Sequence, residues 1–149
     1  MSMKIRALGA LATLVTLVSV TGTAVAEDRP YAEGTVSVVS SIRTEPGQSD
    51  TYMRYLATTY KQLMEEQKKA GIIVDWSVYT TRPRTEDGPN LYLVTTYKNL
   101  AAMDGLQDKM EAMQEKMFGN QAARDAATVA RGKMRTAIGS EVIRKVEFK

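Results

Sequence analysis

Apolar and polar positions alternate along residues 35–43, with Val36, Val38, Ser40 and Ile42 falling on one side. A period of two is that of a half-buried strand. Glu45-Pro46-Gly47 ends the alternation, and Ser49 or Asp50 is placed to cap a helix. The period then changes: over residues 52–70, Tyr52, Leu56, Tyr60, Leu63 and Met64 form one broad stripe, and Gly71 stops the helix. Residues 72–81 return to alternation, Ile72, Val74, Trp76 and Val78 on one face and Ile73, Asp75, Ser77 and Tyr79 on the other. A charged, proline-bounded loop at 82–89 separates them from a further strand at 91–97, which predicts a hairpin with a long tip. Asn99 caps a helix running to about Gly119, Asn120 caps an alanine-rich helix over 121–138, and Gly139-Ser140 ends it. Residues 141–149 alternate once more and form the closing strand.

The order strand, helix, strand, strand, helix, helix, strand predicts an α+β fold, an antiparallel sheet with helices on one face. No internal repeat or low-complexity linker divides it, so residues 35–149 read as one domain. Residues 27–34 are polar, contain Pro30 and read as a flexible lead-in. Ahead of them, Lys4 and Arg6 precede an uncharged, mostly apolar run at 7–20, and Ala24-Val25-Ala26 puts small residues where a signal peptidase reads them. A run of that length is short for a bilayer core, which takes about 20 residues. Residues 1–26 are therefore expected to be a signal peptide cleaved after Ala26. The protein would then be exported, periplasmic or secreted, with no membrane anchor after cleavage.

Charge changes the picture little. The chain carries a formal +3, of which Lys4 and Arg6 supply two, so residues 27–149 are close to neutral. Such a balance offers no electrostatic footing for nucleic acid, and none is expected as a partner. There is no cysteine and no histidine. Stability must therefore come from packing, helped by a partner subunit that covers the sheet face holding Val36 and Trp76.

Three stretches carry a resemblance. "IRTEPGQSDTYMRYL" is a strand leading through Pro-Gly into the first helix, "LYLVTTYKNLAAMDGL" is the third strand running into the second helix, and "IRKVEFK" is a closing strand. Together they resemble the ferredoxin-like unit of the dimeric α+β barrel superfamily across nearly all of residues 27–149. The resemblance implies a homodimer whose sheets pack face to face, with ligand pockets between sheet and helices. It also implies a range of activities that includes cofactor-free monooxygenases and haem-degrading enzymes. The missing histidine removes the usual axial ligand of haem, and the extra alanine-rich helix departs from the minimal pattern of the superfamily.

Candidate chemistry is sparse. Met103, Leu106, Met110, Met113 and Met117 recur at steps of three and four, one seam of a helix. Thioethers suit Cu(I), but leucine within the seam and the lack of histidine and cysteine favour core packing. Asp104, Asp108, Glu111 and Glu115 on the same helix read as a solvated face interleaved with Lys109 and Lys116, so no metal is expected. No serine stands in a nucleophile turn and no glycine-rich phosphate cradle is present. What remains is the hairpin. Trp76, Tyr79, Tyr92 and Tyr97, with Asp75 beside them, combine rings and polar tips suited to a small apolar or aromatic ligand, Asp75 being a base of raised pKa if a closed cavity surrounds it. Arg82 and Arg84 beside the loop are solubilising charge or an anion attractor. The expectation is an exported homodimeric module that binds such a compound without turnover and without a cofactor. The alternative is a cofactor-free, monooxygenase-like enzyme with a tyrosine-lined pocket.

Overall fold

A computed structural model describes residues 29–149; the leader expected over 1–26 lies outside them. Strand β1 (Tyr31–Thr44) is followed by α1 (Ser49–Tyr55), a π-helical turn (Leu56–Tyr60) and α2 (Lys61–Lys69), which run on as one helix. The hairpin of β2 (Asp75–Thr80) and β3 (Leu91–Tyr97) comes next. A 3-10 turn (Leu100–Met103), α3 (Leu106–Phe118), α4 (Gln121–Gly132) and β4 (Arg135–Phe148) complete the chain. The order of elements is the expected one, but four boundaries differ. β2 begins at Asp75, so Ile72, Ile73 and Val74, read as its start, precede the strand. β1 begins at Tyr31, inside the stretch read as a flexible lead-in. The segment expected to be one helix from Asn99 breaks at Gly105, which adopts a left-handed φ of 63°. And α4 stops at Gly132, so that Gly139 and Ser140 lie inside β4 and do not end a helix.

The last difference has a physical cause. β1 is long, and its outer edge is paired by β4 from Tyr31↔Phe148 to Thr44↔Arg135. Leaving the end of β1 bare would strand backbone donors and acceptors, so residues 135–140 are recruited into the ladder against their helical neighbours. The pairing absorbs two irregularities, between Glu33 and Val36 and between Ser41 and Ile42. At the first, Gly34 sits in close quarters: a Cβ there would lie 3.1 Å from the Lys145 carbonyl oxygen, which would have to give by a few tenths of an ångström.

The sheet runs β2-β3-β1-β4 and is antiparallel throughout. It is open. β2 pairs only with β3 and β4 only with β1, so both remain free edges, and the expected α+β barrel is corrected to an open ferredoxin-like sheet. A barrel whose interior side chains just fill takes about eight strands; four strands with edges of unequal length do not meet.

Register sorts the side chains into two faces. Val36, Val38, Ser40 and Ile42 share a face with Tyr97, Thr95, Leu93 and Leu91, and with Trp76 and Val78. This face is covered by the chain's own helices, so Val36 and Trp76 do not need a second subunit above them. Ile42, Leu91 and Leu93 bury against Tyr52 and Leu56. Leu63, Met64, Ile73 and Tyr97 form a second cluster, flanked by Met103, Leu106, Met110, Met113 and Met117. The methionine seam therefore packs on α2 and the sheet. Tyr60 touches both clusters.

Candidate functional site

Between the two clusters the helix-side face of the sheet is not filled. A cleft of about 430 Å³ opens there, floored by Val38, Ser40, Ile42, Leu93, Thr95 and Tyr97, and roofed by Tyr60 and Met64. Arg135, Ala137, Gly139 and Ser140 from β4 close one flank. The strands place these residues by register: Ser40 lies opposite both Leu93 and Ser140, and Ile42 opposite Ala137. Small residues at 40, 137, 139 and 140 leave the space that larger ones would take, and the size is within the usual range of small-molecule pockets, about 300–1,000 Å³.

The roof comes from the π-helical turn. Such a turn holds more residues than an α-turn and re-aims the side chains that follow it, which is why these insertions recur at functional sites. Here Tyr60 ends the turn. Its ring meets Trp76 edge-on, with centroids 5.8 Å apart and planes at 86°, and its phenol is hydrogen-bonded with the Thr95 side chain. Burial pushes that phenol up to about 12, with the Thr95 hydrogen bond opposing and nearby tyrosines adding. Burial also raises Tyr97. Burial raises Tyr52 too, while the Arg135 charge draws it back. Near neutral pH these phenols are protonated, able to donate and accept hydrogen bonds and unable to act as bases. No carboxylate lines the cleft.

Of the residues singled out in sequence, the structure brings Tyr97 into the floor of the cleft and Trp76 to its roof, through its contact with Tyr60. The Trp76 indole N–H donates to Glu65 Oε1 at 3.0 Å. Asp75 is exposed at the start of β2, where Lys68 Nζ lies 2.9 Å from its carboxylate. The hydrogen bond from Lys68, then that from the Trp76 backbone, holds the Asp75 carboxyl below the usual aspartate range, the reverse of the raised base. Tyr79 and Tyr92 face each other across the hairpin on the side of the sheet away from the helices. Tyr79 is 55% exposed. Tyr92 lines a shallow recess under the loop with Arg82 and Arg84.

The cleft residues missed in sequence are Tyr60, Thr95, Arg135 and Ser140. Tyr60 lay on the apolar stripe of its helix and read as core. Arg135 and Ser140 fell in or next to a predicted helix, so nothing aligned them with Thr44 and Ser40. Polar residues on an otherwise apolar strand face, Ser40 and Thr95, were the one signal available.

Elsewhere, a wide groove of about 910 Å³ runs between α2 and α3 over Ile72, Met113 and Met117, with lysines 69, 109 and 116 on its rims. Among the described residues no group of three histidine, cysteine, aspartate or glutamate side chains is placed to hold a metal ion. Nor is any helix there long and apolar enough to cross a membrane.

No protein-family model matches the chain, and no curated protein matches it in sequence. Solved structures do. HapK from Hahella chejuensis matches with a TM-score of 0.51 at 13% identity, over 74% of this chain and 91% of its own. Protein SO0527 from Shewanella oneidensis matches with a TM-score of 0.49 at 14% identity, over 78% and 96%. A dimeric ferredoxin-like protein from an uncultured marine organism gives 0.48 at 11%, over 77% and 95%. At these identities the likeness is one of fold. With the strand order β2-β3-β1-β4, it places the chain among ferredoxin-like folds.

Proposed function

We propose that this chain is a binding module for a small, mainly apolar compound, held without turnover in the cleft between the sheet and the α1–α2 helix. The observation that carries this reading is the cleft itself. Apolar walls (Val38, Ile42, Met64, Leu93) alternate with a few convergent polar groups (Ser40, Tyr60, Thr95, Tyr97, Ser140, Arg135), the make-up of a site that recognises a small molecule. Binding is favoured over the monooxygenase-like alternative because the tyrosines here are neutral and the lining offers no base. Export remains part of the proposal, supported by the leader pattern over residues 1–26.

A homodimer is also part of it, supported by the free edge of β4. Ile138, Val142, Ile143, Val146 and Phe148 are between 44% and 83% exposed, and a long apolar edge strand invites another strand. Two copies of β4 paired antiparallel about a two-fold axis between Val142 and Ile143 would set Val142 opposite the partner's Ile143. Glu141 would face the partner's Arg144.

The test of the cleft is a panel of neutral and charged aromatic compounds, read by Trp76 fluorescence and by melting. Trp76 is the one tryptophan of the chain and touches the roof of the cleft through Tyr60. At least one compound should shift both signals, and Ser140→Phe, which fills the cleft from an exposed position, should remove the response while the unliganded protein melts as before. A response that survives Ser140→Phe, or none from the whole panel, would overturn the reading.

A further inference from the structure

The cleft holds a cation, Arg135, that no carboxylate of the described residues pairs with. Arg135 opens β4 opposite Thr44 and lines the cleft. Its Nε is buried and has no hydrogen-bond partner. Arg135 enters none of the ion pairs formed among the described residues, and the lining residues around it are apolar or neutral. Glu45, next to Thr44 in the chain, accepts a hydrogen bond from the Thr136 hydroxyl at 2.6 Å. A guanidinium stays ionised throughout the working range of proteins. A buried donor left without a partner is costly, and a charged one more so. Among the described residues the Arg135 Nε is left without an acceptor.

We propose that the ligand of this cleft is an apolar monocarboxylate, its anionic head received by Arg135 and its hydrocarbon laid against Val38, Ile42, Met64 and Leu93. The assignment rests on the reading of the cleft as a ligand site and narrows it. The planar guanidinium fork matches a carboxylate in two parallel hydrogen bonds. One arginine balances one negative charge. The other polar groups of the lining are neutral hydroxyls, of Ser40, Tyr60, Thr95, Tyr97 and Ser140, which can hydrogen-bond the remaining lone pairs of a monoanion but supply no second charge for a phosphate. Arg135 is thus the residue that sets ligand charge, and the walls set its apolar bulk.

Apolar carboxylates matched with their neutral amides test this on the full chain, with 2-naphthoate against 2-naphthamide as the lead pair and calorimetry as the readout. The carboxylate should bind about tenfold or more tightly than the amide, as expected for a hydrogen bond to a charged group. Arg135→Gln should lower it to the affinity of the amide, and Arg135→Lys should keep part of the preference. Raising salt from about 0.05 to 0.5 M should weaken the carboxylate and leave the amide unchanged; this comparison uses the native protein and stands even where a variant fails to fold. Equal binding of acid and amide, each lost in Ser140→Phe, would overturn the carboxylate assignment and leave the cleft as a ligand site. A preference for the acid that persists in folded Arg135→Gln would overturn the role of Arg135. Binding of neither member of any pair would overturn the assignment together with the reading on which it rests.

Discussion

Tyr60 joins the two halves of the core, and its environment makes a prediction about alkaline stability. In the folded chain its phenol ionises at about 12, against 10.0 for an ordinary tyrosine. Between those values the folded state keeps a proton that the unfolded state has released, so its contribution is complete below pH 10 and is lost as pH rises toward 12. Two units correspond to roughly 2–3 kcal/mol. Tyr60→Phe should therefore flatten the fall in unfolding free energy above pH 10, measured by urea denaturation. Burial raises Tyr52 and Tyr97 as well, which leaves the variant a residual slope. An unchanged slope would mean that the Tyr60 phenol is solvated in the native state. The same residue shows the limit of reading a site from sequence. A tyrosine on a helical stripe is indistinguishable from core until the π-helical turn that aims it is known, and no residue pattern over positions 56–60 announces that turn.

Among elements, the strands and helices with strong periodicity were legible. β3 falls where the pattern put it, and α1, the π-helical turn and α2 cover the predicted stripe. The junction of α4 and β4 was not, because alanine-rich sequence keeps helical propensity up to a point that only the distant β1 can fix. The helix α3 was legible in its seam more than in its burial. Met110, Met113 and Met117 contact the second core cluster, yet none of the residues of α3 is fully buried. Met113→Ala should accordingly cost about 1–2 kcal/mol by thermal or chemical melting, below the roughly 2–5 kcal/mol of a fully buried methionine. A neutral result would mean that α3 rides loosely on α2, and that the groove between them is wider in solution.

For the molecule as a whole, the α+β class and the order of elements could be read from periodicity, while barrel closure could not. Closure depends on which edges meet, a property of strand lengths and partners that alternation does not encode. The hairpin residues divide between the two faces of the sheet. Asp75, Tyr79 and Tyr92 are one residue out of phase with Trp76 and Leu93 and so fall on the other face of the sheet. The free edge of β4 leads to a prediction about assembly. Light scattering at tens of micromolar, an order-of-magnitude working range for moderate affinities, should give a dimer, and Val142→Lys with Ile143→Lys should give a monomer. Melting of the double variant should change little at concentrations where the native protein is also monomeric. A native protein that stays monomeric throughout would remove the dimer from the proposal.

The pairing of β1 with β4 also bears on time. Tyr31 lies opposite Phe148, and the backbone N–H of Lys149 donates to the Pro30 carbonyl at 3.1 Å, so the first strand of the sheet is completed by its fourth. The partners are about a hundred positions apart, and contacts of such separation close late because their loop entropy is met before any of their hydrogen bonds form. A growing chain can lay down its first helix and its hairpin, but the outer side of β1 stays bare until residues 135–148 have left the ribosome. The outer side of β1 is thus finished by a zipping of residues 135–148 onto a strand laid down about a hundred positions earlier.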